Sequence, residues 1–130
     1  MEYNRCEHYV YSCKYHIIFC PKYRSKVLTD GIDERLKEII RELEKEGDFT
    51  IIEMEVMPDH VHLLLDCSLY KSPIEIVKHI KWQSAHILRK EFPSLKRRLP
   101  NMWTRSAFIS TVGTVSMENA KEYIQNQKGK

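Results

Sequence analysis

The chain has 130 residues, of which 42% are hydrophobic and 30% are charged. That length suits one domain with a single core and leaves no room for a second. The formal net charge of +3 makes the chain mildly basic, which fits a nucleic-acid partner without requiring one. There is no signal peptide and no apolar run of membrane-spanning length, so we expect neither secretion nor a membrane partner.

The cysteines carry a second prediction. The chain has four, Cys6, Cys13, Cys20 and Cys67, and they form no Cys-x-x-Cys pair, which argues against a zinc-ribbon site. Cys13 and Cys20 lie in an apolar stretch and are expected to be small buried residues. We therefore predict free thiols and a cytoplasmic location.

The first half of the chain alternates between strand and helix signals. Tyr9–Cys20 is rich in aromatic and β-branched residues that alternate along the chain, which predicts a strand ending at Pro21. A basic segment, 22–26, follows. Asp33–Glu46 has apolar residues at helical spacing and stops at Gly47, which predicts a helix.

The middle of the chain predicts a hairpin and a second long helix. Phe49–Met57 and His60–Cys67 are strands joined by a tight turn at Pro58-Asp59. Ser72 and Pro73 are typical of a helix start, and that helix runs to about Glu91. Its inner face is expected to carry Ile74, Val77, Ile80, Ser84 and Leu88.

The remaining segments predict a strand and a short helix. Residues 96–98 form a basic loop, Trp103–Val112 is a fourth strand, and Gly113 breaks it. A final helix then runs from Met117 to about Lys128, with Ser116 as its cap.

The resulting order is β-α-β-β-α-β followed by an extra helix. This predicts an α+β fold of the ferredoxin-like, RRM-like type: one antiparallel sheet with both long helices on one face. We divide the single domain 1–130 into a core (8–112), a hinge (113–115) and a C-terminal helix (116–128) that carries Tyr123.

Two histidines form the first candidate site. Strand side chains alternate between faces, so His60 and His62 point the same way, while Val61, Leu63 and Leu65 point towards the helices. Two imidazoles at this spacing can hold one metal ion. The alternative is a pair of surface histidines on an open sheet face.

Tyr123 and Gln127 form the second candidate site. They lie one helical turn apart and share a face. A tyrosine hydroxyl can attack a phosphodiester if a base or a metal-polarised phosphate is near, and the Gln127 amide oxygen can complete a metal's ligand set. The alternative is a tyrosine that packs its helix onto the sheet.

Two basic segments are candidates for nucleic-acid binding, in which cations hold the backbone and an aromatic ring stacks on a base. They comprise Lys22, Tyr23, Arg24 and Lys26, and Lys96, Arg97 and Arg98. The alternative is two solvated loops. Trp82 and Trp103 are predicted to pack in the core or an interface rather than to stack on bases.

Taken together, four ordered blocks resemble the single-tyrosine HUH transposases of the smallest insertion sequences, the IS200-like family. The blocks are Tyr15–Arg24, Val56–Leu64, Trp103–Gly113, and Tyr123 with Gln127. The resemblance covers nearly the whole chain. A His-x-His alone is a weak signal, whereas four blocks in order ending in Tyr-x-x-x-Gln are a strong one.

The resemblance implies a mechanism. His60, His62 and Gln127 would bind Mg²⁺ or Mn²⁺, and Tyr123 would cut single-stranded DNA through a 5′-phosphotyrosine intermediate. Gly113 would be a hinge for the tyrosine helix. The partners would be DNA hairpins at the element ends and a second copy of the chain, with Tyr123 meeting the partner chain's histidines.

Two other functions fit parts of the sequence. A non-catalytic RRM-like module that binds single-stranded nucleic acid would share the element order, but it would carry aromatic residues where His60 and His62 stand. A dimeric small-molecule or metal sensor would use the histidines and leave Tyr123 and Gln127 without a role.

Overall fold

A computed structural model describes residues 3–112 and 124–126. Gly113, Tyr123 and Gln127 therefore lie outside the described residues. In the described parts of the chain, no helix is both long and apolar enough to cross a membrane. The elements are β1 (Asn4–Cys6), β2 (Tyr9–Tyr11), β3 (Lys14–Phe19), α1 (Ile32–Glu44), β4 (Phe49–Met57), β5 (His60–Cys67), α2 (Pro73–Glu91), α3 (Pro93–Arg98) and β6 (Phe108–Thr111).

A four-stranded antiparallel sheet forms the centre of the molecule, with strand order β4-β5-β3-β6. The strands β1 and β2 pair only with each other, as a small separate hairpin. In the central pair, Ile17 lies opposite Leu63 and Phe19 opposite Val61. The predicted α+β fold with an antiparallel sheet is confirmed.

The core lies between one face of this sheet and the helices. It contains the inward residues of β3 and β5 and the apolar faces of α1 and α2. The fully buried side chains from these elements include Ile17, Phe19, Leu36, Ile40, Leu63, Leu65, Ile80 and Leu88. This packing leaves the opposite sheet face, which carries the histidines, outside the core.

Helix α2 begins as predicted. The Ser72 side chain accepts from the backbone N–H of Glu75, whose carboxylate accepts from the Ser72 N–H, and Pro73 occupies the first turn. The predicted inward position of Ile74 is wrong, because this side chain is 56% exposed. Ile76 lies two residues later, and therefore on the other side of the helix, and it is buried instead.

Two predicted strands are shorter in the structure. Tyr9–Cys20 is divided into β2 and β3, because β2 pairs with β1 outside the central sheet. Of the predicted strand Trp103–Val112, only β6 joins the sheet. Trp103 makes an isolated bridge to Pro21 instead, and its indole N–H donates to the Ser84 hydroxyl at 3.0 Å.

The basic residues 96–98 were predicted as a loop, but they belong to α3. Pro93 begins this helix, since its fixed φ suits the first turn. The two arginines, Arg97 and Arg98, and Lys96 are all exposed.

All four cysteines are free, as predicted. Cys20 and Cys67 are buried, whereas Cys13 is only half-buried, contrary to its predicted burial. Burial is the main factor that raises the pKa of the Cys20 thiol to about 11 and that of Cys67 to about 12. These two thiols are therefore protonated at neutral pH.

We expect iodoacetamide to alkylate Cys6 and Cys13 in the native protein and to modify Cys20 and Cys67 more than about a hundredfold more slowly, because the thiolate is the reactive form. Peptide mass spectrometry after timed labelling measures the four rates. Labelling in denaturant, where all four should react alike, is the control. Equal native rates for Cys13 and Cys67 would contradict the structure.

Candidate active site

The two histidines of β5 share one face of the sheet, as predicted. Val61, Leu63 and Leu65 are fully buried on the helix side. The side chains of His60 and His62 are 19% and 26% exposed on the other side. The strand alternation thus separates core residues from candidate ligands within six positions.

An acidic neighbour orients His60. Its Nδ1 lies 2.9 Å from Oδ1 of Asp59. A carboxylate only accepts, so Nδ1 carries the hydrogen and donates, and in the neutral ring Nε2 keeps its lone pair. This carboxylate–imidazole pair is the usual support of a metal-binding histidine.

His62 is next to another histidine, His16. Nε2 of His62 lies 3.4 Å from Nδ1 of His16, and the two rings are stacked with centroids 5.6 Å apart. Burial first, and then the nearby His16 ring, lower the pKa of His62. The ring is therefore kept neutral, the form that binds metals.

In the sequence His16 has no partner at a metal-ligand spacing, so the sequence alone indicates a structural or surface residue. The sheet register places it here: Ile18 of β3 pairs with His62, and His16 lies two residues away on the same face. The alternation of His16 with the buried Ile17 indicates that His16 faces away from the core. The sequence does not show that β3 pairs with β5, and this pairing is what places His16 beside His62.

The donor set fits an incomplete metal site. Within the parts of the chain that the structure describes, no group of three His, Cys, Asp or Glu side chains is arranged to hold a metal ion. His60 and His62 present imidazole nitrogens on one face of the sheet, and a metal there needs a further ligand. Gln127, the predicted third ligand, lies outside the described residues.

Arg24 links this site to the end of the chain. Its Nε lies 2.9 Å from Oδ2 of Asp59, and its Nη1 donates to the carbonyl oxygen of Ile124 at 2.9 Å. Both side chains of the ion pair are largely shielded, with 17% and 16% exposed. One guanidinium therefore connects the Asp59–His60 pair to the residue that follows Tyr123.

The backbone around Arg24 has an uncommon conformation. Tyr23 and Arg24 are consecutive residues with positive φ, 61° and 50°. Such left-handed conformations are uncommon for residues other than glycine and cost free energy. The turn that they form directs the Arg24 side chain towards Asp59.

The other predicted nucleic-acid-binding residues lie apart from one another. Tyr23 is 52% exposed, with Nζ of Lys22 5.5 Å from its ring centroid, and Lys26 is exposed. Lys96 lines a groove beside α2, which is separate from the histidine face. The described lining of this groove includes no residue of the segment 22–26.

Comparison with known proteins decides the family. The family described as "Transposase IS200 like" matches residues 9–127, nearly the whole chain. The chain belongs to the IS200-like transposase family. As an IS200-like transposase it is a DNA-binding enzyme of DNA transposition, a class that cleaves and transfers DNA strands.

Curated relatives agree with this assignment to the IS200-like transposases. The ISDra2 transposase TnpA of Deinococcus radiodurans is 39% identical over 124 residues, which cover 94% of this chain and 89% of the relative. The transposase for insertion sequence element IS200 of Salmonella typhimurium is 31% identical over 122 residues, covering 92% and 80%.

Solved structures of transposases show the same architecture. A crystal structure of a putative transposase from Deinococcus radiodurans R1 superposes with a TM-score of 0.89 at 34% identity, covering 98% of this chain and 99% of that one. A REP-associated tyrosine transposase bound to a REP hairpin has a TM-score of 0.58 at 17% identity, covering 92% and 68%. At that identity the second likeness concerns the fold alone.

Proposed function

We propose that this transposase cleaves and rejoins single-stranded DNA at insertion-sequence ends through a phosphotyrosine formed on Tyr123. One observation carries the proposal: the contact from Arg24 to Ile124, together with its ion pair to Asp59. It brings the backbone next to Tyr123 to the residues that orient His60. The chain segment directly after the proposed nucleophile is thereby linked to the Asp59–His60 pair, which includes a candidate metal ligand.

The chemistry follows from a tyrosine acting on a phosphodiester. The Tyr123 oxygen forms a bond to phosphorus, the bond from phosphorus to the 3′ oxygen breaks, and that oxygen leaves as a 3′-hydroxyl. The cut strand stays attached through a 5′-phosphotyrosine. Attack of another 3′-hydroxyl on this phosphotyrosine rejoins DNA and releases the tyrosine, so no water is consumed.

We assign the metal site to His60, His62 and Gln127, with Mg²⁺ or Mn²⁺ as the ion. When bound, the ion would polarise the scissile phosphate and lower the cost of attack by a tyrosine whose unperturbed pKa is about 10. The protein's own contribution is orientation. Asp59 accepts from Nδ1 of His60, which leaves Nε2 of that ring as the nitrogen available to a metal, and burial lowers the pKa of His62, which favours the neutral ring that binds metals.

We also propose three finer features of the molecule. They are the ferredoxin-like order with a C-terminal tyrosine helix, a hinge at Gly113, and a homodimer. One arrangement docks the tyrosine helix beside the histidines of its own chain, which the Arg24–Ile124 contact allows. The predicted exchange of helices between chains is the alternative, and adduct formation by a mixture of Tyr123→Phe and His60→Ala chains would reveal it.

The proposed substrate is a DNA hairpin with single-stranded flanks. The fold neighbour bound to a REP hairpin supports this choice, as do the basic residues around Arg24. The test is incubation with single-stranded DNA from the element's own ends plus Mn²⁺. We expect a DNA–protein adduct on a denaturing gel, mapped to Tyr123 by mass spectrometry. Reversible binding with no adduct would favour the non-catalytic binding module.

A separate prediction concerns metal binding. We expect His62→Ala to weaken Mn²⁺ binding by about a hundredfold, because a two-histidine site loses half its imidazole ligands. Titration calorimetry on the protein without DNA measures this directly. His79→Ala, which removes an exposed histidine paired with Glu46, is the matched control and should bind as the parent does. Equal affinity for all three proteins would place the metal elsewhere.

A further inference from the structure

A groove of about 1050 Å³ lies between α2 and the segment 96–105. Its lining is basic and aromatic, and the described residues that line it include no Asp or Glu. The cations in the lining are Lys78, Lys81, Arg89, Lys90, Lys96 and Arg105, with His86 beside them. A groove lined in this way attracts a polyanion.

Trp82 is the most unusual side chain in this groove. At 64% exposed it does not pack in the core, which was one of its two predicted positions, and its predicted place in an interface stays a prediction. Its indole lies parallel to the His86 ring, with an interplanar angle of 1° and centroids 5.5 Å apart. A large exposed aromatic side chain offers a flat apolar face to a partner, and here the stacking on His86 favours one orientation of that face.

On one face of α2, two aromatic rings lie between two lysines. Lys78, Trp82, His86 and Lys90 follow one another at intervals of one turn on one face, so adjacent members are about 6 Å apart along the axis. Both lysines are exposed, and no ion pair engages either of them in the described parts of the chain. A cation at each end of a stacking surface suits an extended strand with a phosphate on either side of a base.

The far wall of the groove is fixed in place. Nζ of Lys81 donates to the carbonyl oxygens of Thr104 at 2.6 Å and Ser106 at 3.0 Å, tying this segment to α2. Burial lowers the pKa of Lys81 to about 8, which leaves it largely charged at neutral pH. The buried Trp103 donates to Ser84 of α2. The groove is therefore preformed, and binding would require little rearrangement.

The groove also adjoins the segment that reaches the active site. The backbone N–H of Lys22 donates to the carbonyl oxygen of Met102, which lines the groove, at 2.9 Å. Two residues after Lys22, Arg24 contacts Asp59. A strand lying in the groove would thus continue along basic residues towards His60.

We propose that this groove binds a short single-stranded DNA segment, with one unpaired base stacked on Trp82 and backbone phosphates of the strand beside Lys78 and Lys90. The inference rests on the proposed function in one respect, namely that the substrate is single-stranded DNA. Paired bases are already stacked on their neighbours and cannot use the Trp82 face, so the groove should discriminate against duplex. The occupied groove would hold the strand that flanks the cleavage site.

The test uses the full chain, a labelled oligothymidylate of about 15 nucleotides and EDTA, so that cleavage cannot contribute. We expect Trp82→Ala to weaken binding roughly tenfold by fluorescence anisotropy, the loss of one base–aromatic stack. Ile74→Ala, which removes an exposed apolar side chain from the same helix outside the groove, is the matched control and should bind as the parent does.

Trp82→Phe separates stacking from folding. It should retain most of the affinity but lose the quenching of tryptophan fluorescence by DNA, because the remaining Trp103 is only 7% exposed. Lys78→Gln should lower the salt slope of binding by about 0.7, the value for one phosphate of a single strand. Lys45→Gln is the control: it changes an exposed lysine just after the end of α1, outside the groove, and should leave the salt slope unchanged.

Unchanged affinity of Trp82→Ala for the oligothymidylate would overturn the proposal, and so would a blunt duplex whose binding Trp82→Ala weakens by the same factor. The two proposals can fail separately. If the wild-type chain binds the oligothymidylate through Trp82 but forms no adduct in Mn²⁺, the groove proposal would be supported and the proposed tyrosine chemistry would be contradicted. If the wild-type chain forms the adduct and Trp82→Ala binds the oligothymidylate with unchanged affinity, the tyrosine chemistry would stand and the groove proposal would fail.

Discussion

Tyr123→Phe is expected to lower covalent attachment of single-stranded DNA by more than about a thousandfold, because the substitution removes only the attacking oxygen. Reversible binding should be unchanged, since the ring and the charge of the protein stay the same. Denaturing gels measure the adduct in Mn²⁺, and anisotropy in EDTA measures binding. Both measurements are made on the same preparation, so a loss of folded protein would affect them together.

Tyr9→Phe is the matched control for this experiment. It removes a hydroxyl from a tyrosine that is 60% exposed on β2 and should leave adduct formation intact. An undiminished adduct in Tyr123→Phe would show that another residue is the nucleophile. Loss of binding together with loss of the adduct would show that the hydroxyl serves DNA recognition instead.

Arg24→Ala is expected to slow adduct formation by about ten- to a hundredfold, the usual effect of removing a group that orients a metal ligand. The substitution deletes the contact to Ile124 and the ion pair to Asp59 together. Asp59 keeps its contact to His60 but loses the partner that fixes the carboxylate. Single-turnover rates at saturating DNA measure the effect without the contribution of affinity.

Arg24→Lys helps to identify the cause. Lysine keeps the charge but lacks the planar fork that reaches Asp59 and Ile124 at once, so we expect an intermediate rate. Arg35→Ala is the matched control, because Arg35 forms a comparable ion pair with Glu91, at 2.7 Å, at a position on α1. If Arg24→Ala and Arg35→Ala reduced the single-turnover rate equally, the proposed positioning role of Arg24 would be wrong.

Local patterns in the sequence account for much of the fold. The alternation in His60–Cys67 predicts both the strand and the faces of its side chains, since the strand repeat of two depends only on the chain itself. Ser72, Pro73 and Glu75 predict the start of α2 in the same way. Predictions fail where long-range packing decides, as for Trp103, which is held by Ser84 outside the sheet.

The candidate site shows the same division. His60 and His62 could be identified from spacing and from the resemblance to the transposase family. His16 could not, because its place beside His62 depends on the pairing of β3 with β5. The role of Arg24 was also hidden, because its partners Asp59 and Ile124 are 35 and 100 residues away in the sequence.

The sequence by itself thus determined the family, both long helices, the hairpin of β4 and β5, and the sheet face on which His60 and His62 lie, because these depend on order and local periodicity. Only the tertiary structure decided which distant side chains meet. It joined Arg24 to Asp59 and Ile124, placed His16 against His62 and exposed Trp82 in a basic groove. Such contacts arise from sheet register and helix packing, which bring together residues that no local spacing relates.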